Sequence, residues 1–149
     1  MASTIQADRR LELVELGRQG FRFAVTGGIV ALVYLGTTTV LAAVVGLGFE
    51  LSLAIGFAVA LVTHFSLQRL FVWRHPELSY ALRLHHQLGR YLVVAGVQYG
   101  LTAGITAVLP VALGVSPELV YVPTALTLSV INFLVFRAQI FHPAMDQLS

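Results

Sequence analysis

The 149-residue chain contains no cysteine and no lysine, and only 11% of its residues are charged. Without cysteine, disulfides and thiolate metal sites are excluded, and redox chemistry says nothing about the compartment. Without lysine there is no glycine-rich phosphate loop of the Gly-Lys-Ser/Thr kind, which excludes ATP hydrolysis of that type. Serines and threonines fall in no nucleophile motif, and the acidic residues sit at helix ends or in loops, so no catalytic residue is assigned. His75, His85, His86 and His142 lack the spacing of a metal site. The expectation is a non-enzyme that uses no metal or cofactor and has no nucleic-acid partner. So little charge also argues against a soluble domain, in which about a quarter of residues are charged.

What the chain has in abundance is apolar sequence, 57% of its residues. Four runs are long enough to span a membrane, since about 20 residues at 1.5 Å each cross the hydrocarbon. They are Phe23 to Gly48, Leu51 to Trp73, Tyr91 to Leu113 and Leu119 to Phe141. The region before the first run carries Asp8, Arg9, Arg10, Glu12, Glu15, Arg18 and Arg22, and the run itself exceeds a signal-peptide core, so no cleavable leader is expected.

The chain also repeats itself. A shift of 68 residues, with no gap, lays Arg22 on Arg90, Gly28 on Gly96, Gly36 on Gly104, Gly46 on Gly114, Glu50 on Glu118, Phe65 on Phe133 and Arg69 on Arg137. Over positions 22 to 73, 13 of 52 pairs are identical. An internal repeat sets the architecture. The prediction is an all-α membrane protein, 1–149 as a single domain, with four transmembrane helices arranged as two hairpins. Repeat 1 covers about residues 20–74 and repeat 2 about residues 88–142.

All nine basic residues are arginines, and all lie before the first span, around the loop between spans two and three, or near the end of span four. The short turns at Gly46 to Glu50 and Gly114 to Glu118 have none. The positive-inside rule then puts both termini and the central loop in the cytoplasm. Two hairpins of one orientation form a parallel repeat about an axis along the membrane normal. Residues 8–21 place Leu11, Val14, Leu16 and Phe21 on one side and Arg9, Glu12, Glu15, Gln19 and Arg22 on the other. That is the pattern of a short interfacial amphipathic helix. A second is expected before the second hairpin, from Pro76 through Leu88. Ser116-Pro117-Glu118 reads as the opening of span four, and Glu50 holds the matching place before span two. Gly96, Gly100 and Gly104, with Gly28 and Gly36, form small-residue stripes suited to close helix packing in lipid. A homodimer interface is one place such stripes would serve.

The only charges inside apolar sequence are Arg69 and Arg137, each four residues before an aromatic, Trp73 or Phe141. At 1.5 Å per residue they sit about 6 Å inside that aromatic level. Two readings stay open. The arginines reach the headgroups and fix helix depth, or they bind a lipid phosphate, with Arg22 and Arg90 adding to the set. His64 and Gln68 share a helix face next to Arg69, and Asn132 takes the place of His64 in the second half. Gln98, Thr102 and Thr106, at spacing four on span three, either line a polar route or bond between helices.

The Arg-Phe-x-Val-x-Gly-Gly opening at Arg22 to Gly28, the four spans, and the twice-repeated Phe-x-x-x-Arg endings resemble the GtrA-like family of small bacterial membrane proteins. The resemblance covers about residues 20 to 142. The family's ending has Asn before its arginine and a second Asn four residues upstream; Gln68 and Phe136 replace the first and His64 the second, which Asn132 retains. The resemblance implies a bacterial cytoplasmic (inner) membrane protein that translocates polyprenyl-phosphate-linked sugar for cell-surface polysaccharide glycosylation. It implies a glycosyltransferase as partner. The alternative it leaves is a non-transporting subunit that anchors or stabilises such a transferase.

Overall fold

The computed structural model describes residues 2–74 and 79–144, with side chains described at position 6 and from position 9 onward. Helix α1 spans Ala2–Thr39 and continues as a π-turn, Val40–Val44. Helix α2, Phe49–Leu67, likewise runs into a π-turn, Gln68–Val72. Helix α3 is Leu84–Leu113, and α4, Pro117–Val135, ends in a third π-turn, Phe136–Ile140. Four stretches are long and apolar enough to cross a membrane: Arg9–Val44, Phe49–Val72, Leu84–Leu113 and Pro117–Ile140. The chain is an all-α, multi-pass membrane protein, as its four apolar runs predict.

Contacts divide the chain into two compact units, Met1–Arg74 and His75–Ser149. The first is the α1–α2 hairpin and the second the α3–α4 hairpin. Each reverses at a glycine in the left-handed region, Gly46 with φ of 77° and Gly114 with φ of 65°. A Cβ is strained at that angle, which explains glycine at these two matched positions. Helix α2 opens at Gly48 with Glu50 in its first turn, and α4 opens at Ser116 with Pro117 and Glu118. An acid at each N-terminus complements the helix dipole.

Two expectations need correction. Residues 8–21 are helical, but they form one unbroken helix with span one rather than a separate interfacial helix. No proline interrupts them, so the ladder continues through Gly17 and Gly20. The second interfacial helix, expected over 76–88, is absent from its described part before Leu84; residues 75–78 lie outside the described residues. Residues 79–81 instead pair with 142–144, through Ala81 N–H to His142 O at 3.2 Å and Ala144 N–H to Ser79 O at 3.0 Å. The antiparallel bridge Tyr80 to Pro143 lies between them. Those long-range bonds satisfy backbone groups that a helix would otherwise have used.

The largest of the fully buried side chains gather at one end of each hairpin, around the second and third π-turns, while the small Thr26 and Ser52 are buried elsewhere. Gln68, Val72 and Trp73 in one unit, and Tyr91, Phe136, Ile140 and Phe141 in the other, are each 2% exposed or less. Elsewhere large apolar side chains face outward, such as Leu32, Val44 and Val111. In lipid that is the favourable arrangement, because the surrounding solvent is as apolar as the side chains.

The glycine stripes do not pack within their own hairpins. A Cβ at Gly28, Gly36, Gly96, Gly100 or Gly104 would meet no atom of its hairpin within 4 Å. The close approach of α1 and α2 lies instead at Gly56, where a Cβ would collide with Thr38 Oγ1 and come within 3.4 Å of the Tyr34 carbonyl.

Candidate functional site

Both second spans end the same way, and the end is where the predicted residues lie. At the close of α2 the backbone widens by one residue, so that Trp73 N–H bonds to Gln68 O at 2.9 Å, five residues back. At the close of α4, Phe141 N–H bonds to Phe136 O, also at 2.9 Å. These pairs match under the 68-residue shift, as do Arg69 and Arg137, each the second residue of its π-turn. Such i→i+5 turns are rare, and they concentrate at functional sites.

An arginine from the neighbouring helix secures each turn. Arg22 Nη1 donates to the Phe71 carbonyl at 3.4 Å, and Arg90 Nη1 donates to the Gln139 carbonyl at 2.8 Å. Donor and acceptor are again related by the repeat. The chemistry follows from the helix end: its last carbonyls lack intrahelical partners and carry the negative end of the dipole, so a guanidinium is a suitable partner. Arg22 also lies over the Phe71 ring, its Cζ 5.4 Å from the centroid. A guanidinium has five N–H donors, so a bond to one carbonyl leaves most of its capacity for an anion.

The interiors of the two turns differ. In the first unit Trp73 Nε1 donates to Gln68 Oε1 at 2.7 Å, and Gln68 Nε2 lies 2.9 Å from His64 Nε2. Indole N–H is only a donor, which fixes the Gln68 amide with its oxygen toward Trp73. Its nitrogen must then donate to His64, leaving His64 Nε2 as acceptor and the imidazole proton on Nδ1. The second unit has no such relay at this position. Phe136 and Phe141 meet edge to face, with centroids 6.0 Å apart at 87°, and Tyr91 lies 5.5 Å from Phe136. A pair of rings thus closes the turn that an amide and an indole close in the first unit.

The candidate residues fall as follows. Arg22, His64, Gln68 and Arg69 converge at the π-turn end of the first unit, and Arg90 and Arg137 at that of the second. Arg69 is half-buried and Arg137 exposed. Asn132 Nδ2 donates to Gln98 Oε1 across α3 and α4, so these two polar residues bond between helices. Thr106 Oγ1 donates to the Thr102 carbonyl at 2.6 Å within α3. No group of three or more histidines and acids is placed to hold a metal among the described residues.

Three participants were not singled out from the sequence: Trp73 as a hydrogen-bond donor, and the glutamines Gln19 and Gln87. Gln19 and Gln87 are related by the same 68-residue shift, which extends the repeat upstream of Arg22. Both are buried, although Gln19 falls on the polar side of the amphipathic pattern.

The sequence profile of the GtrA/DPMS transmembrane domain matches residues 22–141. The chain belongs to the GtrA/DPMS transmembrane family. The matched region starts at Arg22 and ends at Phe141, so it takes in both arginine-to-carbonyl contacts and both π-turns that carry arginine. No solved structure matches the chain.

Proposed function

We propose that this GtrA/DPMS-family protein translocates a polyprenyl-phosphate-linked sugar across the bacterial cytoplasmic membrane, with both termini in the cytoplasm, and is not an enzyme. The sugar would supply a glycosyltransferase that modifies cell-surface polysaccharide. The observation that carries this reading is the duplicated arginine-bearing π-turn. Arg69 and Arg137 lie in the last turns of their spans, on backbone held by Arg22 and Arg90, where a lipid headgroup would be within reach. Guanidinium is the side chain best matched to phosphate, through paired N–H donors. The polyprenyl tail would remain in lipid against the outward apolar faces while the headgroup crosses. With no nucleotide-binding motif, movement follows the gradient of the lipid itself. Dimerisation through the glycine stripes is part of the proposal, because those faces are unused within the hairpins.

The test is reconstitution of the full chain in proteoliposomes containing a fluorescent polyprenyl phosphosugar, with accessibility to an external glycosidase as readout. The wild type should speed exposure of inner-leaflet lipid, and Arg69→Ala/Arg137→Ala should abolish that gain. Equal rates with empty liposomes would refute transport. They would leave the anchoring role, which predicts a transferase held in the membrane whether or not the arginines are present.

A further inference from the structure

None of helices α2, α3 and α4 has a side-chain cap, but α2 and α4 place a glutamate in their first turn whereas α3 begins without an acid. Around that uncapped start stand Arg83, His85 and His86. The Arg83 guanidinium beside the positive end of a 30-residue helix is electrostatically unfavourable unless an anion joins it. The first unit has no counterpart, because α1 runs unbroken through the equivalent positions.

A second observation is independent of the helix end. Gln87 is 0% exposed, and neither its Nε2 nor its Oε1 has a hydrogen-bond partner among the described residues. Its repeat counterpart Gln19 donates to Glu15 Oε1 at 3.1 Å. The residue equivalent to Glu15 is Arg83, which offers no acceptor, so the substitution leaves Gln87 Nε2 open, while the amide oxygen is unpartnered in both glutamines among the described residues. Long side chains on a helix lean toward its N-terminus, so Gln87, the fourth residue of α3, reaches back over the uncapped turn. Arg83, Gln87 and Arg90 recur at spacings of four and three, one face of the helix. The bond from Ala81 N–H to His142 O brings residue 142 beside this same end, and His142 Nδ1 is also buried without a partner. Buried polar atoms left open in a cluster call for an absent ligand or water.

We infer that the start of α3, with Arg83, Gln87 and Arg90, is a binding site for a glycosyl phosphate headgroup. This assignment rests on the transport reading and adds to it a site distinct from the arginines of the π-turns. The anion takes the helix N–H groups and the two guanidiniums. Gln87 Nε2 donates to a phosphate oxygen, and its Oε1 accepts from a sugar hydroxyl, a demand that a simple anion does not meet as well. The site belongs to the second hairpin alone.

The experiment titrates the full chain in nanodiscs with glucose 1-phosphate, inorganic phosphate and polyprenyl monophosphate, using wild type, Gln87→Met, Arg83→Gln and Gln19→Met. Gln87→Met and Arg83→Gln should each weaken glucose 1-phosphate binding at least about tenfold, the usual consequence of losing a charged or buried hydrogen-bonding group. Gln19→Met should bind as wild type. Gln87→Met should also melt no lower than wild type without ligand, since it removes two unsatisfied buried atoms. Unchanged binding in both Gln87→Met and Arg83→Gln overturns the site, as does equal weakening by Gln19→Met. Equal affinity for inorganic phosphate overturns the glycosyl assignment. If glucose 1-phosphate binding is unchanged in Gln87→Met and Arg83→Gln while polyprenyl monophosphate binds, the α3 site fails and the transport reading stands. If glucose 1-phosphate binding depends on Gln87 but the polyprenyl lipid does not bind, the site stands and the transport reading fails.

Discussion

Replacing Gln68 by Met tests whether the side-chain relay holds the first arginine-bearing π-turn. Gln68 is fully buried and bonds Trp73 Nε1 at 2.7 Å and His64 Nε2 at 2.9 Å. Met keeps the length of the side chain and removes both bonds. The orphaned indole N–H, on a residue 1% exposed, costs about 1–3 kcal/mol. The imidazole nitrogen adds about 1 kcal/mol, while one more buried methyl-sized group returns about 0.8 kcal/mol. The net loss should be about 1–3 kcal/mol. Adding Trp73→Phe removes the stranded donor, so the double variant should be more stable than the sum of the singles by about 1 kcal/mol. The second unit shows why this can work, since Phe136 and Phe141 close the same turn by ring contact alone. Such pairs contribute about 0.5–1.5 kcal/mol. Unfolding of the four proteins of the cycle in one detergent gives the coupling directly. A coupling below about 0.3 kcal/mol, the additivity expected of unconnected sites, would refute the relay.

Arg90→Gln should loosen the last turn of α4, seen as faster hydrogen exchange at the Phe141 amide, which bonds to Phe136 O. Its cost in stability should stay below about 1 kcal/mol because the contact is exposed, and unchanged exchange would show that Arg90 does not secure the turn. Gly56→Leu should destabilise the first hairpin by about 1–3 kcal/mol through overpacking against Thr38 and the Tyr34 carbonyl. Gly17→Leu, exposed on α1 with open space around it in its hairpin and outside the glycine stripes, is the control. Equal melting of the two variants would refute the assignment of Gly56 as the close contact.

The spans were legible because four apolar runs admit no other environment, and the hairpin turns because Gly46 and Gly114 recur with the repeat. Gln68 and His64 were legible as neighbours because a spacing of four is one helix face, and the structure joins them. The π-turns were not legible. No local residue type marks a widened turn, and the arginine that captures a carbonyl in two of them lies 49 residues away in sequence. Gly56 was passed over because periodic glycines drew attention to stripes, whereas one contact between two helices needs only one small residue. Gln19 was assigned to a polar face by residue type, and type alone does not report burial. Its coincidence with Gln87 under the shift was visible in the sequence and marks both as positions tied to the duplicated framework.

The matched π-turns also bear on how the chain arose. Each holds one residue more than an α-helical turn would, the surplus that inserting a single residue into a helix would leave. Had the insertion entered only one copy, the two halves would need a gap to align through Trp73 and Phe141. They align with none, and both turns begin at equivalent residues, Gln68 and Phe136. Matched extra residues at matched places are what duplication of a hairpin that already carried the turn and its arginine would leave. Between the halves the interior of the turn differs, and α3 starts at Leu84 where α1 runs unbroken, while the turn itself is common to both.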